Sequence, residues 1–368
     1  MKINCFTENI EKHTSLLTKI IPLHSQVPIF SNVLIEANKD GFFLSTTDLD
    51  LAVRVKIPAK IEEEGSTTVP GKQFLEVINS LPKDKVSLKT VKDSFIVNCR
   101  GNKVSFQTIA REEFPTLFEK KGEKIAEFSI EDFKNIFSKI IFAASNDETR
   151  PQLSGVLLLQ SQEGAVFVAT DGYRLSLEKI KKEILAKTDD RLILSSRLIN
   201  EVLLLKPEKS EISMYVLKEG SQILFESEDV LLVGRMIEGE FPNYERVIPK
   251  NYKTKLLVNR EELLQSLRLS SVFARESANI VKIKIDENTL ELSSKASGLG
   301  EGEIKIDTEK EGDNLEISFN VKFLLDFLRS IDSENIIIEA NSGTEPCLFR
   351  LKQDNSFLHV IMPVRIQE

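Results

Sequence analysis

Along the 368-residue chain the apolar positions switch between two periods. Short runs alternate apolar with polar, as in residues 94–99, 104–108, 222–227 and 336–340, which predicts half-buried strands. Turn residues such as Lys39-Asp40-Gly41 and Glu219-Gly220-Ser221 separate such runs, so the sheets should be antiparallel. Elsewhere apolar residues recur at helical spacing and predict helices with one buried stripe.

The pattern repeats. A strand passing into an amphipathic helix begins at Ile3, Ala126 and Leu256, about 125 residues apart, the size of one small domain. Thr7, Ser129 and Asn259 stand where N-caps are expected, with acids after them that suit the positive end of a helix. A second helix follows in each third, over residues 71–78, 196–203 and 320–328. Between the two helices, the first two units carry a Thr-Asp pair, Thr47-Asp48 and Thr170-Asp171, read as lying on a strand; the third keeps the strand at 290–294 without the pair. Phe114-Pro115, Phe241-Pro242 and Met362-Pro363 close the units. The fold class is α+β, with three similar domains over 1–123, 124–252 and 253–368, each of roughly eight strands and two helices. The boundaries fall in polar stretches around Lys120-Lys121 and Lys250-Asn251.

Composition narrows the function. The apolar share of 41% is ample for several cores, and no run approaches the roughly 20 apolar residues that span a bilayer. Met1-Lys2-Ile3-Asn4-Cys5 lacks the features of a secretory signal, so a cytoplasmic protein is expected. Cys5, Cys99 and Cys347 are scattered and suit buried thiols better than disulfides or zinc. A net charge of −8 argues against a binder that wraps nucleic acid with a wholly basic surface.

Enzyme chemistry finds no footing. His13, His24 and His359 are the only imidazoles, and none has metal-ligand spacing with another His, Cys or acid. Gly65 to Lys72 resembles a phosphate loop but has one residue too many between its glycines and Gln73 where Ser or Thr is required. Gly298-Leu299-Gly300-Glu301-Gly302 does not open a helix. Asp48 and Asp50 match the Thr-Asp of the second unit, so a repeat remnant accounts for them better than a metal site. No cofactor and no metal are expected.

Three motifs occur in order within the repeats: Ala169-Thr170-Asp171-Gly172-Tyr173-Arg174-Leu175, Glu240-Phe241-Pro242-Asn243-Tyr244, and Met362-Pro363-Val364-Arg365. With these, over its whole length, the chain resembles the bacterial DNA polymerase III beta subunit, the DNA sliding clamp. The resemblance implies the DNA clamp fold and a head-to-tail homodimer. Its six domains would close a ring around duplex DNA, with antiparallel sheets outside and two helices per domain lining the inside. Twelve helices at roughly 10 Å between axes give a circumference of about 120 Å, wide enough to pass a duplex. Such a protein would act as a processivity factor of DNA polymerase III that performs no chemistry. The alternative is a β-rich interaction scaffold without DNA encirclement.

The resemblance also implies site residues. A pocket for the short motif of the replicative polymerase, the clamp loader and other partners would be built from Leu153, Thr170, Gly172, Tyr173, Arg174, Leu175, Pro242, Arg246, Val247, Val360, Met362, Pro363, Val364 and Arg365. Apolar and polarisable side chains suit an adaptable cleft, and arginines at its rim suit carboxylate or backbone groups. Lys12, Lys19, His24, Lys134, Arg197, Arg268, Lys322 and Arg329 are expected on the inner face, His24 where some relatives have arginine. The helical segments 7–24, 72–81, 130–145 and 260–272 are each neutral, while 197–206 and 321–331 carry +1 each; together +2 against −8 suits loose contact with phosphates. At the ring joint, an edge strand with Lys103, Phe106 and Thr108 would meet Val272 and Phe273 of the next subunit, with Glu301 and Glu303 facing lysines.

Overall fold

The computed structural model describes residues 1–117, 122–181, 184–185, 191–205, 211–217 and 222–365. Lys120 and Lys121, which mark one expected boundary, lie outside the described residues. The fold is α+β, three domains of antiparallel sheet with six α-helices among the described residues: α1 (Thr7–Ile20), α2 (Gly71–Ser80), α3 (Ile130–Phe137), α4 (Ser196–Leu203), α5 (Arg260–Ala274) and α6 (Val321–Ser330). None of them is long and apolar enough to cross a membrane.

By contact density the chain divides into two compact units, Met1–Glu131 with Arg197–Met236 and Asp132–Ser196 with Ile237–Glu368. The first unit holds a five-stranded sheet in the spatial order Ala59–Glu63, Lys2–Phe6, Lys85–Val91, Ser94–Cys99, Asn102–Gln107. Its second sheet has eight strands, Glu123–Ser129, Glu211–Leu217, Gln222–Ser227, Val230–Arg235, Leu51–Ile57, Gly41–Thr47, Asn32–Asn38 and Gly65–Pro70. The second unit holds nine strands in the order Arg191–Ser195, Gly155–Ser161, Gly164–Thr170, Arg174–Ile180, Asp354–Ile361, Cys347–Leu351, Asn335–Ala340, Thr254–Asn259, Glu309–Gly312. Its smaller sheet is Gly300–Asp307, Thr289–Ala296, Ile280–Asp286, Leu315–Asn320.

Each unit thus contains one joint of the same design. In the first, Leu51–Ile57, the last strand of a three-strand meander, pairs antiparallel with Val230–Arg235, setting Val53 opposite Leu232. In the second, Arg174–Ile180 pairs with Asp354–Ile361, setting Ser176 opposite His359. Alternation decides what each face buries: Val53, Leu232, Ser176 and His359 are fully buried, and His359 stacks on Phe327 of α6 at 4.9 Å.

The helix starts differ from one another. Asn259 and Asn320 cap α5 and α6, their Oδ1 atoms accepting from the Glu262 and Lys322 amides at 3.1 and 3.0 Å. Thr7 does not cap α1; Phe6 precedes the helix with no side-chain bond. Thr7 is instead its first residue and donates its hydroxyl to the Pro82 carbonyl at 3.1 Å, tying α1 to the loop before Lys85–Val91.

The two Thr-Asp pairs also differ from expectation, because the aspartates leave the strand. Asp48 Oδ1 accepts from the Asp50 and Leu51 amides, and Asp171 Oδ1 from those of Tyr173 and Arg174. Both are turns built on an aspartate, with the third residue in the left-handed region, Leu49 at φ 79° and Gly172 at φ 92°. The Thr hydroxyls close the turns onto the Leu51 and Arg174 carbonyls. Asp48 and Asp50 therefore belong to a turn and not to the strand on which the Thr-Asp pair was expected.

Candidate functional site

Beside the second joint lies a cleft of about 130 Å³. Leu175 and Val360, paired across the joint, form its floor and are 2% exposed each. Leu153 and Thr170 are buried beside them. Tyr173, Val247 and Met362 stand exposed at the rim, an amphipathic ring, a branched aliphatic and a flexible thioether. Gly172 and Pro242 complete the part expected from sequence. The Met362 amide donates to the Tyr173 carbonyl at 2.8 Å, which fixes the two rim residues relative to each other.

Arg246, Pro363, Val364 and Arg365 do not line the cleft. Val364 is drawn off because its amide donates to the Ser318 carbonyl at 2.7 Å, so the chain runs along the Leu315–Asn320 strand there. Ile366, Gln367 and Glu368 lie outside the described residues. The cleft gains Asn243 and Tyr244, which sequence reading missed. Tyr244 is 9% exposed in the same cluster as Phe241, Leu175 and Val360, and burial, then Glu245, pushes its hydroxyl pKa up. The signal was present, an aromatic three residues after Phe241 in the Phe-Pro turn.

Arg174 is not a free rim cation. Its side chain is only 10% exposed, Nε donates to Asp171 Oδ2 at 3.0 Å, and Nη1 donates to Asp326 Oδ2 of α6 at 2.7 Å. The guanidinium lies over the rings of Phe323 and Phe142 at 4.6 and 5.4 Å. Behind it His359 Nδ1 meets Ser176 Oγ at 2.7 Å. Complete burial, then the Arg174 charge, holds His359 well below its ordinary pKa and so neutral.

The cations expected on an inner face are spread over both units. In the first, Lys12, Lys19, His24 and Arg197 are exposed. Lys12 lies 3.8 Å from Asp229, and Arg197 bonds Asp48 Oδ2. Lys12 and Lys19 line a groove of about 430 Å³ between α1, Leu204-Leu205 and the 227–230 turn. In the second unit Arg268, Lys322 and Arg329 are exposed and Lys134 half-buried.

For the joint between subunits, Asn102–Gln107 does lie at a sheet edge, and Gly300–Asp307 lies at another. Lys103, Glu301 and Glu303 are exposed, Glu301 sitting 3.8 Å from Lys295. Val272 on α5 is 61% exposed, and Phe273 packs under the edge so closely that a Cβ on Gly302 would come within 3.2 Å of its ring. Phe106 instead turns inward, edge-on to Phe74 at 6.0 Å, so its ring belongs to its own core. Thr108 lies just past the end of the strand, its amide donating to the Asp93 carbonyl.

Known proteins agree with this layout. Family models of the DNA polymerase III beta subunit match in order: the N-terminal domain over residues 1–118, the central domain over 127–243 and the C-terminal domain over 245–365. The beta sliding clamps of Staphylococcus aureus and Staphylococcus epidermidis are each 27% identical over 358 residues, covering 94% of both chains. A solved DNA polymerase III beta subunit of Thermotoga maritima is 29% identical with a TM-score of 0.91. The DNA polymerase sliding clamp of Bacillus subtilis is 25% identical with a TM-score of 0.92; in both comparisons all of each chain is covered. The three matched domains leave only twelve of the 368 residues outside them, and the chain belongs to the DNA polymerase III beta subunit family, the sliding clamps that serve replication as non-catalytic processivity factors.

Proposed function

We propose that two copies of this chain join head to tail into a ring around duplex DNA in the cytoplasm. The cleft at the second joint then holds a short peptide of the replicative polymerase, the clamp loader or another protein with the same motif. The three clamp domains are assigned to 1–123, 124–252 and 253–368. The inner-face cations would touch phosphates without reading sequence, and the polymerase would be held by topology.

One observation carries the reading: a joint made twice within the chain is left open once. The third meander ends in Gly300–Asp307, the counterpart of Leu51–Ile57 and Arg174–Ile180, at an unpaired sheet edge. Asn102–Gln107 is the counterpart of Val230–Arg235 and Asp354–Ile361, and it too is an edge. Each lacks the kind of partner the other offers, and further copies joined head to tail supply both at every joint of a closed ring, of which two copies are the smallest.

The internal joints supply a register. Thr46 and Ser294 donate to the carbonyls of Leu17 and Ser270, which occupy matching positions in α1 and α5; this equates their strand partners, Val53 and Gly302. The bonds Thr68 to Ile109, Ile193 to Ile237 and Ser318 to Val364 equate Lys103, Leu231 and Leu358. Since Leu231 faces Arg54, Lys103 of one copy should face Glu303 of the next, with Val104 over Gly302 and Phe273. Sedimentation tests it. Lys103→Glu should weaken the dimer about tenfold, as should Glu303→Lys, and combining them should restore it. A double variant no tighter than either single one would reject this joint.

A further inference from the structure

We infer that Asp326, which stands on α6 outside the cleft, is a positioning residue for peptide binding. The inference rests on the cleft being the peptide site. Asp326 grips Arg174, Arg174 grips Asp171 Oδ2, and Asp171 Oδ1 holds the amides of Tyr173 and Arg174. The chain of bonds therefore runs from a helix to the rim residue Tyr173, which is 61% exposed and whose carbonyl is held on the other side by the Met362 amide. Gly172, in the middle of the turn at φ 92°, donates its amide to Thr170 Oγ1 at 3.1 Å, so the turn is held on one side by Thr170 and on the other by Asp171, the carboxylate that Arg174 grips.

The equivalent turn of the first unit shows what is particular here. There Arg197 of α4 bonds Asp48 directly, and the position of Arg174 is occupied by Leu51. In the second unit the turn's own arginine takes the aspartate and is then fastened to its helix by a second carboxylate. Arg174 lies over two aromatic rings with a tenth of its side chain exposed, where charge-assisted bonds are strong and directional. Without Asp326 the guanidinium keeps one carboxylate and samples more rotamers. The Tyr173 rim loosens with it, so a peptide must then order the turn as it binds.

The test uses the full-length protein, a fluorescently labelled polymerase-derived peptide, and hydrogen exchange. Asp326→Asn should raise the peptide Kd about three- to tenfold and speed exchange of the amides in residues 171–174 by a similar factor, with Tm and dimer affinity unchanged. Asp326→Glu should recover both within about twofold. Unchanged Kd and exchange in Asp326→Asn would overturn the inference. So would a fall in Tm with faster exchange throughout the second unit, which marks a merely structural residue. If the wild-type protein binds no peptide, the cleft reading fails, whereas the exchange rates still judge whether Asp326 holds the turn.

Discussion

His13 is 9% exposed within α1, and its Nε2 has no hydrogen-bond partner among the described residues. Burial, then the charge of Lys12, lowers its pKa from 6.5 to about 4, against the opposing pull of Asp229. A folded pKa below the unfolded one means the unfolded chain takes up the proton first. The protein should therefore keep this stability above about pH 6.5 and lose it as pH falls through about 4, by about 3 kcal/mol. In urea unfolding, wild type should lose more stability than His13→Gln between about pH 7 and pH 4.5; parallel losses would show that His13 does not titrate in this range. At the cleft, Met362→Ala should weaken a polymerase-derived peptide by about 1–2 kcal/mol while leaving the dimer intact. Arg246→Ala, outside the cleft, should cost less than about 0.5 kcal/mol, and the reverse order in a binding assay would move the site. Placement was legible where a motif fixed it: Tyr173 and Met362 both stand at the rim of the cleft. It was not legible for Arg174, because a carboxylate 152 positions away decides where the guanidinium goes.

The helices were legible because apolar stripes at helical spacing persist through each of them, and the observed starts fall within a few residues of those read from the pattern. Caps were less so. Asn259 and Thr7 are both good cap residues ahead of acids, yet only Asn259 bonds its own helix. Asn259→Ala should cost about 1 kcal/mol and lower Tm measurably. Thr7→Ala should instead release the loop at Pro82 and Asp84, so hydrogen exchange should quicken at Lys85 and Val86 more than along α1. Hairpin strands follow from alternation and turn residues. The joints between distant meanders do not: Arg174–Ile180 meets Asp354–Ile361 across most of the second half of the chain, and no local pattern selects that partner.

For the whole molecule, triplication was the most legible feature, because three strand-to-helix starts and three closing motifs at one spacing leave few other arrangements. Sequence did not show that the same strand-to-strand joint recurs, and that recurrence is the physical ground for expecting a closed assembly with no edge left unpaired. Closure predicts a behaviour that surface binding cannot imitate. The most direct measurement is retention on nicked circular duplex after loading by the clamp loader, followed by a single cut that linearises the DNA. An encircling ring should stay on the circle through a wash at high salt and leave promptly once the DNA has ends. Equal retention before and after the cut, or loss from both forms in salt, would contradict encirclement.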